Sequence, residues 1–168
     1  MSLKKVLKFI EEIGCIMYVG GILSHIVIGV TLGHADASTA YNVYIYKEQS
    51  AFILILPGLA MKVIADLILY FQFEAKPNWL KAKMAMNLFL ATNAFVFLVP
   101  MMPEIIQLAE ASLPDGEVSQ AFLDKVAIEK MVGMSNVIPL VLELILGSFK
   151  PKLGRERAVS DTMATVGS

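Results

Sequence analysis

Apolar residues run almost unbroken through four stretches of the chain, about Ile10 to Leu32, Phe52 to Phe73, Met84 to Met102 and Val126 to Gly147. At about 20 residues each, they are as long as an α-helix must be to cross a hydrocarbon core. Their apolarity is continuous rather than alternating. In lipid only helices and closed barrels satisfy their own backbone, so this pattern predicts helices and not barrel strands. The expected fold is all-α: a polytopic membrane protein built as a four-transmembrane-helix bundle. Residues 1–152 form its single membrane domain, and residues 153–168 form a flexible cytoplasmic tail that is polar and rich in small residues.

The segments between the spans predict how the bundle is oriented. Lys4, Lys5 and Lys8 precede the first span, Lys76, Lys81 and Lys83 lie between the second and third, and Lys150, Lys152, Arg155 and Arg157 follow the fourth. With four spans these three basic segments share one side, whereas the other two links are acidic or nearly neutral. The positive-inside rule then places both termini in the cytoplasm and the protein in the cytoplasmic (inner) membrane. The apolar run that follows the first lysines continues to Leu32 without a small-residue cleavage site, which predicts a retained span rather than a removed signal peptide. Lys76, Pro77 and Asn78 break the path before the third span, with Trp79 at interfacial depth. Tyr41, Tyr44 and Tyr46 crowd the first outer link and predict a short amphipathic helix lying along the headgroups. Leu113 to Glu117, reading LPDGE, predicts a turn in the second outer link.

Composition narrows the class without naming a function. Of 168 residues 57% are hydrophobic, and the mean hydropathy of +0.66 points to a bilayer as solvent. A net charge of -1 and the lack of a basic cluster predict no nucleic-acid partner. The lone Cys15 excludes an internal disulfide and a multi-cysteine metal site, and reads as a small core residue. There is no glycine-rich phosphate loop, no G-x-S-x-G and no H-E-x-x-H.

Chemistry must therefore come from polar residues at membrane depth. In the first span Gly21, His25, Gly29 and Gly33 recur every four residues and share a stripe, because such steps drift only about 40° around a helix. An intramembrane imidazole is costly unless something satisfies it. In the second span Lys62 and Asp66 stand one turn apart on one face and are placed to neutralise each other. Asn87 and Asn93 follow on the third span and Asn136 and Glu143 on the fourth, where Pro139 frees the Ser135 carbonyl and predicts a kink beside Asn136. By depth, His25 falls in the outer half, Lys62, Asn93 and Asn136 near the middle, and Asp66, Asn87 and Glu143 in the inner half. Together they form a polar intramembrane network.

Three accounts fit that network. The first makes His25 an axial ligand to the iron of a haem b, with Gly21 and Gly29 giving the flat macrocycle room. His34, the only other histidine, lies roughly 13 Å further along the same helix on its opposite face and cannot complete the clamp within one copy. A sixth ligand then has to be a methionine such as Met84 or Met86, a lysine, water, or a group from a second chain. The second account is a non-catalytic membrane subunit whose small-residue faces pack against other chains in a homo- or hetero-oligomer. The third is proton or ion conduction through the Lys62 and Asp66 column.

The stretch KFIEEIGCIMYVGGIL resembles the opening span of the HemJ-type protoporphyrinogen oxidases and related four-span membrane families. Their pattern runs K-x-x-H, a short apolar stretch, then W/Y-x-G-G-L. Trp79 to Lys83, reading WLKAK, is similar to their W-L-x-x-K at the start of the third span. ILPGLAMKVIADLIL is similar to the Pro-Gly opening of the second. The resemblance implies a bundle and a tetrapyrrole partner, and it carries one position over, Lys83. Where the oxidases have their first-span histidine this chain has Glu11 or Glu12, so that ligand and the oxidase activity are not carried over.

Overall fold

The computed structural model describes residues 3–32, 36–72 and 76–153. Four long helices carry them: α1 Leu3–Thr31, α2 Ala37–Gln72, α3 Asn78–Asp115 and α4 Gln120–Phe149, of 29, 36, 38 and 30 residues. Each is long and apolar enough to cross a membrane, and there is no strand among the described residues. The helices run up and down. At one end Lys4 and Lys8 share a cleft with Lys150, and Asn78 Nδ2 donates to the Leu153 carbonyl at 2.9 Å. Lys150 sits 5.6 Å from the centre of the Trp79 ring at this same end. At the opposite end the Ala37 N–H donates to the Gly116 carbonyl at 3.1 Å and ties the two outer turns together. Gly33, His34, Phe73 and residues 154–168 lie outside the described residues.

The helices exceed the apolar stretches that announce them. At 1.5 Å per residue α2 and α3 reach roughly 55 Å, well beyond a hydrocarbon core of about 30 Å. The excess lies mostly at the end away from the termini and corrects one expectation: the tyrosine-rich segment is not a separate short helix but continues helically into the second span. Asp36 caps it, its carboxylate accepting from the Thr39 N–H at 2.8 Å and the Thr39 hydroxyl at 2.7 Å. Those bonds, the hydroxyl's foremost, hold the Asp36 carboxyl below the ordinary carboxylate range. Ala40, Val43 and Tyr44 then fall on one helical face and pack with Met102, Ile105, Ala109, Phe122 and Val126 into a second core. Tyr44 meets Phe122 edge-on at 5.4 Å. The LPDGE turn is where the pattern places it, a 3-10 turn at Leu113–Asp115 closed by Gly116 at a φ of 74°.

Three of the four helices lose their regularity at a similar level, each just before a proline. α2 makes a π-helical turn at Ala51–Ile55 ahead of Pro57, and α3 makes one at Asn93–Leu98 ahead of Pro100. α4 breaks at Asn136 ahead of Pro139, as its sequence predicts. A proline ring clashes with the carbonyl four residues earlier and offers that carbonyl no N–H, and a widened turn relieves the clash.

Helix α1 lies closest to α2. A Cβ built on Gly14 would stand 2.7 Å from the Gly58 carbonyl oxygen, and one on Gly58 would stand 2.6 Å from the Tyr18 backbone nitrogen. Backbone therefore touches backbone where the two helices cross. This crossing sets Glu11 of α1 level with Lys62 and Asp66 of α2.

Candidate functional site

Two buried charged clusters occupy the bundle, one toward each end. The cluster nearer the termini draws a charged residue from every helix. Lys62 Nζ of α2 donates to Glu143 Oε2 of α4 at 2.6 Å. Lys83 Nζ of α3 donates to Asp66 Oδ1 of α2 at 2.7 Å and to Glu11 of α1, and stands 3.5 Å from Glu143 Oε1. Asn87 Nδ2 donates to Asp66 Oδ2 at 2.7 Å. The side chains of Lys62, Asp66, Lys83 and Glu143 are no more than 3% exposed. Gly147 of α4 makes room for this packing, since a Cβ there would lie 3.4 Å from the end of Lys83.

Three carboxylates thus face two ammonium groups. Ligand oxygens of Glu11, Asp66 and Glu143 lie within 4.8 Å of one another, a spacing that would suit a cation. The Lys83 ammonium already stands among them as a tethered cation. Burying Lys62, Asp66, Lys83 and Glu143 is tolerable because each touches an opposite charge. A cleft of about 560 Å³ opens on these groups from the terminus end, with Lys4, Lys8 and Glu12 at its mouth. Cys15 borders it half-buried, at the cleft wall rather than inside the core.

Near mid-depth Asn93 Nδ2 of α3 donates to Asn136 Oδ1 at 2.7 Å and to Ser135 Oγ at 3.0 Å, at the break in α4. An interhelical amide pair of this kind contributes roughly 1 kcal/mol. Asn93→Leu is expected to lower the unfolding temperature in detergent slightly, on the scale of that one bond. A loss several times larger would show that Asn93 also orders the π-helical turn it begins.

The outer cluster joins α2 to α4. Lys47 Nζ lies 3.1 Å from Glu129 Oε1, and the Tyr44 hydroxyl donates to Glu129 Oε2 at 2.9 Å. Lys47 Nζ also lies 4.5 Å from the Tyr44 ring centre. His25 of α1 lies near Lys47 and Glu129, and its Nε2 is buried without a hydrogen-bond partner. His25 is among the lining residues of a second cavity, of about 130 Å³, which Glu129 and Asn136 also line.

No family model, curated protein or solved structure matches this chain. The functional reading therefore rests on the geometry of its own residues.

That geometry gathers Lys62, Asp66, Lys83, Asn87 and Glu143 into one cluster, pairs Asn93 with Asn136, and sets His25 apart beside Lys47 and Glu129. It corrects the expected pairing of Lys62 with Asp66. The two share a helical face, but each reaches past the other to a different helix, because a partner head-on across an interface offers a shorter bond than a neighbour one turn away. Gly21 serves α2, since a Cβ there would stand 2.5 Å from Ile55 Cγ1, whereas a Cβ on Gly29 would meet only Lys47 Nζ at an ordinary 4.0 Å. Lys47, Glu129 and Tyr44 are site residues that the apolar pattern passes over, since they lie at the edges of their spans. Glu11 enters as the partner of Lys83.

Proposed function

We propose that this protein conducts protons across the membrane along its polar axis. The observation that carries the reading is a cluster of ionisable groups drawn from all four helices, Lys62, Asp66, Lys83 and Glu143 buried and Glu11 at its edge, on which one cleft opens. Intramembrane ionisable residues that face a cavity commonly belong to ion and proton pathways. Asn93 and Asn136 continue the polar line toward His25, Glu129 and Lys47, whose cluster adjoins the outer end. By the positive-inside rule the cleft opens to the cytoplasm.

The test is proton flux in liposomes holding the purified protein, with a potassium-set potential and a pH-sensitive dye inside. Wild-type protein is expected to acidify the lumen faster than protein-free vesicles, and Asp66→Asn to slow that flux by about tenfold. Wild-type vesicles no leakier than lipid alone would end the proposal.

A second reading, haem b on His25, is favoured by the unpartnered Nε2. It asks more of the fold, because the adjoining cavity of about 130 Å³ is small beside the roughly 300–1,000 Å³ of ordinary small-molecule sites. Helices α1, α2 and α3 would have to part to admit a macrocycle. A Soret band in the purified protein that disappears in His25→Ala would establish it over conduction.

A further inference from the structure

The three irregular turns converge on a single space. Ala51 and Ile55 from the π-helical turn of α2, Ala94 and Leu98 from that of α3, and Asn136 at the break in α4 all line the cavity of about 130 Å³ beneath His25. Widened π-helical turns cost backbone regularity and often mark functional sites. Two such turns and a helix break around one void make it a built feature of the bundle.

The polar groups at this cavity are incompletely satisfied by protein alone. His25 lies near Lys47 and Glu129, and its Nε2 is buried with no protein partner. Whether as an N–H or as a lone pair, a buried ring nitrogen left without a hydrogen bond is costly and calls for a partner. Asn136 and the Glu129 carboxylate border the same space. A water molecule needs two to four polar partners and a space the cavity exceeds several-fold, so there is room for more than one.

We infer that this cavity is a hydration site, holding a short file of water molecules that hydrogen-bonds His25 Nε2 and connects it to Asn136 and Glu129. On the proton-conduction reading, on which this extension of it rests, the file is the link between the outer cluster and the mid-membrane amides. The prolines Pro57, Pro100 and Pro139 shape its walls by widening or breaking the turn before each of them.

The experiment uses the full chain in lipid bilayers, labelled with ¹⁵N-histidine and carrying His34→Gln so that His25 gives the one imidazole signal. Magnetisation transfer from water to the ring nitrogens is expected in this protein. It is expected to vanish in Ala94→Leu, which fills the cavity from α3, and in Gly133→Val, which narrows it from α4 and serves should the first variant fail to fold. In liposomes each filled variant is expected to reduce proton flux by about tenfold or more while Lys62 and Glu143 stay paired. A dry Nε2 in the unfilled protein would overturn the inference. Flux that persists with the cavity filled would also overturn it, leaving conduction by another route intact. A wet Nε2 in a protein that carries no flux would uphold the hydration site and overturn the conduction reading.

Discussion

Lys62→Met is expected to be among the most damaging single substitutions in this protein. The methionine follows the lysine stem closely, so the change isolates the ammonium, including its place 5.2 Å from the centre of the Tyr18 ring. Without it Glu143, 3% exposed, loses its 2.6 Å partner and must share Lys83 with Asp66 and Glu11. One ammonium would then face three carboxylates in a low-dielectric interior. Breaking a buried pair from one side costs about 3–5 kcal/mol, because the remaining charge stays desolvated. In a chain of this size that corresponds to an unfolding temperature lower by on the order of 10 °C. The companion variant Lys62→Met with Glu143→Leu is expected to recover most of the loss, since replacing both partners by apolar groups is often neutral or better. Thermal unfolding of the two singles and the double in one detergent closes the cycle. A double variant as unstable as the sum of the singles would show that the two residues act independently and that the bond between them is incidental.

The contrast between Lys62 and Lys47 explains what was readable in this sequence. Lys62, Asp66 and Glu143 interrupt long apolar runs, and hydrocarbon penalises a lone charge so heavily that an inward direction follows from depth alone. Their partners do not follow. Helix rotation and stagger depend on where Gly14 meets Gly58, two glycines 44 positions apart whose meeting no local pattern announces. Lys47 and Glu129 were harder still, because a charge at the margin of an apolar run looks like the beginning of a loop. They are buried only because α2 and α4 extend past the hydrocarbon and enclose a core of their own around Tyr44 and Phe122. The helix breaks did leave a trace. Pro57, Pro100 and Pro139 stand one to a span, and each follows a widened or broken turn. Read together as one level of the bundle, they point to the cavity beneath His25.

Gly58→Leu is expected to separate α1 from α2 and to disperse the inner cluster without touching a charged residue. The Cβ at this position would stand 2.6 Å from the Tyr18 nitrogen, 2.7 Å from the Gly14 carbonyl oxygen and 2.9 Å from Met17 Cβ. Two of the three are backbone atoms, so no rotamer change relieves the contact and the helices must move. Overpacking where side chains can adjust costs about 1–3 kcal/mol, and a backbone clash belongs at or above the top of that range. Moving α1 outward would also draw Glu11 from Lys83, weakening the balance of charge that makes the interior tolerable. Gly20→Leu is the control, because a Cβ on Gly20 meets nothing within 4 Å and the substitution improves helix propensity. Unfolding in detergent is expected to distinguish the two sharply, with Gly20→Leu near wild type and Gly58→Leu strongly destabilised. Chemical labelling of Cys15, which borders the cleft half-buried, supplies a second readout: it should accelerate in Gly58→Leu as the crossing opens. Equal stability and equal labelling in the two variants would mean that α1 and α2 do not cross at Gly14 and Gly58, and the cluster built on that crossing would lose its frame.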